Sequence, residues 1–325
     1  MIDIRDVEAA AARLDGIAVR TPLIRNHAID EIAGGPVFIK PECLQVTGSF
    51  KIRGAYNFLS QLTAEQAQTG VVTFSSGNHA QGVAAAGAML GIRTTIVMPE
   101  DAPRAKLDNT KRLGGEVVTY DRYTGDREAI ARDIAARRGA VVVPSYDHDD
   151  IIAGQGTVGL EIARELQALE LTPDRVLVCC GGGGLVAGSA IALSASFPDV
   201  HVHAVEPEQF DDTARSLQSG RRETVADDAR SICDALQAHT PGKLTFDINR
   251  RLLARGLAVS DIEVRAAMRF AFRHLKLVVE PGGAVALAAL LAGKVETNGR
   301  TTVVVISGGN VDLDLYAEIQ REGSG

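Results

Sequence analysis

The chain has 325 residues, 46% of them apolar and 23% charged, with a net charge of −7 at neutral pH. That length leaves room for one large or two moderate globular domains with sizeable cores. The acidic balance, without a basic cluster, argues against nucleic acid or an anionic membrane as the main partner, while a local site could still hold a small anion.

From the N-terminus, no basic segment leads into an apolar run, and no later apolar stretch reaches membrane-spanning length, so a cytoplasmic protein is expected. The first predicted strand is Val37–Lys40. Then comes Gly48-Ser49-Phe50-Lys51-Ile52-Arg53-Gly54-Ala55, which puts Lys51 in the first turn of an amphipathic helix with Ser49 as its expected cap. A solvated surface lysine is the bland reading. However, the helix macrodipole opposes a cation there, and that suits an amine that must lose its proton and attack a carbonyl.

Strands and helices then alternate. Strands are predicted at Val71–Ser75, Thr94–Met98, Glu116–Tyr120 and Ala140–Val143, with helices at Asn78–Leu90, Ala105–Leu113 and Arg127–Arg138 between them. Further on lie helix Thr157–Ala168, strand Arg175–Cys180, helix Leu185–Ser196, strand His201–Glu206, helix Asp261–Lys276 and strand Thr301–Ser307. This order predicts an α/β architecture of open parallel-type sheets flanked by helices. The strands outnumber what one open sheet usually holds, so two lobes are expected: 1–60 with 149–325, and 61–148. The cysteines, Cys43, Cys179, Cys180 and Cys233, lack metal-like spacing and read as apolar fillers in a reducing compartment.

Three motifs sit at strand ends, where open α/β sheets place their ligands. After Cys179-Cys180, four glycines (Gly181, Gly182, Gly183, Gly184) lead into Leu185 and a helix. Successive amides without Cβ atoms, followed by a helix N-terminus, make a phosphate cradle. The spacing is not that of a dinucleotide fingerprint, and a single phosphate on a small cofactor fits best. Ser75-Ser76-Gly77-Asn78-His79 opens another helix with hydroxyls and an amide and suits a carboxylate. Ser307-Gly308-Gly309-Asn310 ends a buried strand, so Ser307 could meet a ligand edge-on. An amine, a phosphate cradle, a carboxylate pocket and a strand-end serine together suit pyridoxal phosphate acting on an amino acid.

Through Ser49–Ala55, Ser75–Gly82, Ala153-Gly154-Gln155-Gly156-Thr157, Gly181–Gly184 and Ser307–Asn310, the chain resembles the fold-type II pyridoxal-phosphate enzymes. Within them it is most similar to the serine racemase, threonine (serine) dehydratase and 3-hydroxyaspartate dehydratase group, whose fold is tryptophan synthase β-like. The resemblance implies that Lys51 is the Schiff-base lysine and Phe50 packs beside the ring. It implies that Asn78 contacts the ring hydroxyl, Gly181–Gly184 and Leu185 the phosphate, and Ser307 the ring nitrogen, with Glu280 also in the cofactor pocket. Ser75, Ser76, Asn78 and His79 would bind substrate, and Ser76 would act as acid/base opposite Lys51. Arg127 aligns with an arginine that can meet a second carboxylate, although a surface ion pair is an equal reading. Glu206, the Phe210 carbonyl and Asp212 match a divalent-cation site for Mg²⁺ or Ca²⁺; a solvated acidic turn is the rival, and Asp211 blurs the assignment.

The implied reaction is dehydration and deamination of L-serine, L-threonine or 3-hydroxyaspartate, with serine racemisation or a cysteine-synthase-like β-replacement as alternatives. A homodimer is the expected state. Ala226-Asp227-Asp228-Ala229 departs from the group's usual Ala-Asp-Gly.

Overall fold

The computed structural model describes residues 2–75, 77–102, 104–121 and 124–322. In chain order, the N-terminal part holds α1 (Ile4–Arg13), β1 (Ile24–Arg25), α2 (His27–Ala33), β2 (Val37–Pro41) and α3 (Lys51–Leu59). Next come α4 (Ala64–Thr69), β3 (Val71–Phe74), α5 (Asn78–Leu90), β4 (Thr94–Pro99), α6 (Arg104–Arg112), β5 (Glu116–Tyr120), α7 (Arg127–Arg138) and β6 (Val141–Val142). Then follow α8 (Asp149–Ala168), β7 (Arg175–Cys179), α9 (Gly184–Ser196), β8 (His201–Pro207), α10 (Asp212–Ser219) and α11 (Lys243–Leu252). The last are β9 (Leu253–Val259), α12 (Asp261–Phe270), α13 (Pro281–Leu291), β10 (Thr302–Ile306) and α14 (Leu313–Arg321).

The strands form two sheets. A six-stranded one has the order β1-β2-β10-β7-β8-β9, and a four-stranded one has the order β5-β4-β3-β6. All pairings are parallel except β1 with β2, as the alternation of strands and helices predicts. Strands buried on both faces need unbroken apolar runs, and Val303-Val304-Val305-Ile306 and Val176-Leu177-Val178 supply them at the centre of the larger sheet. α13, apolar on every side, lies buried against this sheet, so its sequence carries no amphipathic stripe. β9 was absent from the predicted strands because Arg255 and its neighbours leave a mixed burial pattern on an edge.

The Ala153–Thr157 motif is helical interior, not the lead-in to a helix. α8 begins at Asp149, eight residues before the predicted Thr157 start. Glycine in a helix costs about 1 kcal/mol relative to alanine. Here close helix crossings require it. A Cβ on Gly154 would fall 2.6 Å from the Arg53 carbonyl oxygen, and one on Gly188 of α9 would fall 2.2 Å from that of Ile152. The α3–α8 crossing thereby sets the position of α3 and of Lys51 at its start.

Beneath α3, the buried Arg53 guanidinium donates to both oxygens of Glu42 at 2.8 and 2.9 Å and to both oxygens of Glu161 at 2.7 and 2.9 Å. Fully buried Lys40 adds an ion pair to Glu161 at 2.7 Å. The predicted 261–276 helix is shorter than expected. It ends regularly at Phe270, continues as a wide turn over 271–275, and stops where Lys276 takes φ +59°. No helix among the described residues is long and apolar enough to cross a membrane.

Candidate active site

Ser307 and Gly308 extend β10, and Gly308 meets Ser49 in an isolated antiparallel bridge. The Phe50 amide donates to the Ser307 carbonyl at 3.2 Å. This pairing corrects the expected Ser49 cap. Ser49 is extended, Phe50 takes the cap position, and the Ser49 hydroxyl is buried without a partner. Lys51 then opens α3 with no side-chain cap. Its Nζ lies 5.2 Å from the Phe50 ring centroid and donates to the Ser145 carbonyl at 3.0 Å. Burial draws the Lys51 amine down to about 8.

Asn78 opens α5. Its Nδ2 donates to Glu280 Oε1 at 2.5 Å, and its Oδ1 accepts from Asn310 Nδ2 at 2.8 Å. Burial, with Asp234 adding to it, pushes the Glu280 carboxyl up to about 8, so this carboxyl is largely protonated at neutral pH. His79 is buried, and that burial together with the Lys51 charge holds its imidazole down to about 3, so it is neutral. Its Nδ1 has no partner. Cys179 joins the same cluster rather than acting as a remote filler. Burial raises its thiol to about 11, and Ser307, Glu280 and Lys51 all act on it.

The glycine run forms the predicted cradle. α9 starts at Gly184 with no side-chain cap, so its first-turn amides are left for a ligand. Gly183 has φ +92°, and a Cβ there would fall 2.8 Å from Asn249 Nδ2. A Cβ on Gly182 would fall 2.3 Å from the Tyr146 ring. Thr245 Oγ1 braces the loop from α11 by donating to the Gly182 carbonyl at 2.7 Å. Leu185 is buried behind the cradle.

At the end of β3, Ser75 Oγ accepts from the Gly77 amide at 3.2 Å. Ser76 lies outside the described residues. Arg127 opens α7, exposed, with its guanidinium carbon 5.7 Å from the ring centroid of Phe74, the last residue of β3. The structure thus brings Arg127 to the end of β3, which Ser75 follows in the chain.

The predicted cation ligands stand apart, at the end of β8. Glu206 is fully buried; its oxygens accept from the amides of Thr213 at 3.0 Å and Ala214 at 2.8 Å. Both carboxyl oxygens of Asp212 are buried without a partner, and burial raises that carboxyl to about 7. Asp211 instead pairs with Arg215 at 2.7 Å. Phe210, buried, lies between the two acids in sequence. Among the described residues no group of three His, Cys, Asp or Glu side chains could hold a metal, so a cation here would need a carbonyl and water besides the two carboxylates. The orphaned Asp212 oxygens fit such an ion.

Several site neighbours carried no sequence signal. Ser145 acts through its backbone, and Tyr146 and Thr245 reach the cradle from unrelated segments. Asn310, the last residue of the Ser307–Asn310 motif, fixes Asn78.

An unprotonated-prone amine, an uncapped glycine cradle and a strand-end serine on one rim define a site of the pyridoxal-phosphate kind. The family model "Pyridoxal-phosphate dependent enzyme" matches residues 14–308, and the chain belongs to this family. It is 46% identical over 316 residues to the L-threo-3-hydroxyaspartate ammonia-lyase of a Pseudomonas species, covering 97% of this chain and 98% of that one. It is 41% identical to the serine racemase of Schizosaccharomyces pombe, covering 96% and 95% of the two chains. The structure of maize serine racemase superposes with a TM-score of 0.91 at 36% identity, over 97% of this chain and 96% of that one.

The lowered amine gives a pH prediction. Enzyme stripped of cofactor should recapture pyridoxal phosphate at a rate that rises with pH and levels off above about 8, because only the neutral Lys51 amine attacks. Stopped-flow absorbance would measure it; a rate still climbing at the ordinary lysine range would contradict the shifted amine.

Proposed function

We propose that this chain is an ammonia-lyase that dehydrates and deaminates a small β-hydroxy α-amino acid, with 3-hydroxyaspartate preferred over L-serine and L-threonine. The observation that carries the substrate choice is Arg127, a cation beside Phe74 on the rim of the carboxylate pocket. The name of the Pseudomonas relative supports the same choice.

Bound pyridoxal phosphate would withdraw electrons from the substrate Cα. Lys51 Nζ, neutral near its lowered range, takes the Cα proton. The Gly181–Gly184 amides and the α9 N-terminus hold the phosphate. Ser307, at the end of β10, would offer the ring nitrogen a neutral hydroxyl instead of a carboxylate. Phe50, Asn78 and Glu280 would line the ring, Ser75 and His79 would bind the substrate carboxylate, and Ser76, outside the described residues, would serve as acid/base. Residues 61–148 form a lobe that closes on 1–60 with 149–325; the strands of the four-stranded sheet all come from that segment.

Glu206, the Phe210 carbonyl and Asp212 hold Mg²⁺ or Ca²⁺ in this reading, supported by the two unpartnered Asp212 oxygens. The protein is a cytoplasmic homodimer in the same reading, supported by reduced cysteines and by exposed Leu44, Phe272, Val278 and Leu313.

Two experiments test this. Keto-acid release from hydroxyaspartate isomers, L-serine and L-threonine should give the highest kcat/KM for a hydroxyaspartate. The Arg127→Leu substitution should cost that substrate about 10- to 100-fold, the value of a charged hydrogen-bonded contact, while leaving serine nearly unchanged. Equal loss for both substrates would remove the clamp. Ca²⁺ at a hundredfold excess over its Kd should add about 2.7 kcal/mol to the unfolding free energy, and Asp212→Asn should abolish the gain. An unaltered gain in that variant would place the ion elsewhere.

A further inference from the structure

The cation ligands and the cradle lie far apart in sequence, yet their chain neighbours touch. Thr213 follows Asp212, and Cys180 precedes Gly181. The Thr213 hydroxyl and the Cys180 thiol lie 3.3 Å apart, both residues fully enclosed. The Cys180 amide also donates to the carbonyl of Val205, the neighbour of Glu206, at 2.8 Å. Thr213 itself is held by its amide to Glu206 Oε1 at 3.0 Å. Asp212 and Gly181 are thus linked through a buried side-chain contact between their chain neighbours, in a close-packed interior.

We propose that Thr213 is a positioning residue that couples the cation site to the phosphate cradle, so that a divalent cation and pyridoxal phosphate each tighten the binding of the other. This rests on the cation reading above. A cation drawing in both oxygens of Asp212 fixes the first turn of α10. Thr213, in that turn, then holds Cys180 and the start of the glycine loop in the conformation that presents its amides. Coupling of this kind is reciprocal: whatever factor the cation contributes to cofactor affinity, the cofactor contributes to cation affinity.

The test uses the full chain, loaded with pyridoxal phosphate or stripped of it, and Ca²⁺ as the probe. Calorimetry gives the Ca²⁺ Kd of each form. The loaded form should bind Ca²⁺ at least about fivefold more tightly, the lower end of usual coupling factors. Thr213→Val should bring the ratio near one while Ca²⁺ still binds, and Thr213→Ser should restore it. A loss of stability alone would leave the ratio unchanged. Cys180→Ala provides a second route if Thr213→Val does not fold, and it too should lower the ratio. Equal Kd values in the two wild-type forms would overturn the coupling while leaving the cation site intact. An undiminished ratio in both variants would overturn the role of this contact. No Ca²⁺ binding at all would overturn the cation reading and the coupling with it.

Discussion

Replacement of Lys51 by alanine is expected to lower keto-acid release by about 10³-fold or more, because it removes the group that moves the Cα proton. It should also abolish the visible absorbance of the covalently held cofactor, while urea unfolding of the cofactor-free variant stays close to that of the cofactor-free parent. The expectation comes from position and not from residue type alone. Lys51 opens α3 without a cap, its Nζ is held by the Ser145 carbonyl, and burial favours the neutral amine. Retained turnover in Lys51→Ala would move the base to another residue.

The second large effect lies under the site. Arg53→Met should lower stability by about 3–5 kcal/mol, the cost of removing one partner from a buried ion pair. Glu42 would be left enclosed with only Thr21, Gln45 and the Lys40 charge near it, and Glu161 would keep Lys40 alone among its strong partners. Burial opposes the Glu42 charge, yet Arg53 holds its carboxyl below the ordinary range. The pair therefore contributes stability above that ordinary range, and the contribution is lost as pH falls through the lower, folded value. Urea midpoints of the parent and of Arg53→Met should differ most near neutral pH and converge in acid. A difference independent of pH would point to lost packing instead of lost charge. Since the same network anchors α3, the variant that survives should also show weakened cofactor retention.

Much of this was legible in the chain. The parallel sheets followed from β-branched runs alternating with alanine-rich segments, and the motifs at 75–79, 181–184 and 307–310 stood where strands end. The family resemblance drawn from those ordered motifs is borne out across residues 14–308. What stayed hidden was set by partners distant in sequence. Ser49 looked like a cap, but pairing of its backbone with Gly308 took it out of that role. The helix expected from Thr157 begins at Asp149 instead, and only the crossing of α8 with α3 and α9 shows why a helix would keep the glycines of Ala153–Thr157. Asp211 and Asp212 are indistinguishable by spacing; one is paired with Arg215 and the other is left buried and unpartnered. Backbone groups such as the Ser145 carbonyl leave no residue-type signature at all.

The most direct test of the central claim is product analysis of L-threo-3-hydroxyaspartate turnover by the purified, cofactor-loaded chain. The account predicts ammonia and a four-carbon keto acid in equal amounts, with no net loss of water, because the water lost in the elimination is taken up again when the imine hydrolyses. Recovery of the substrate, epimerised at Cα and with its hydroxyl retained, would contradict it.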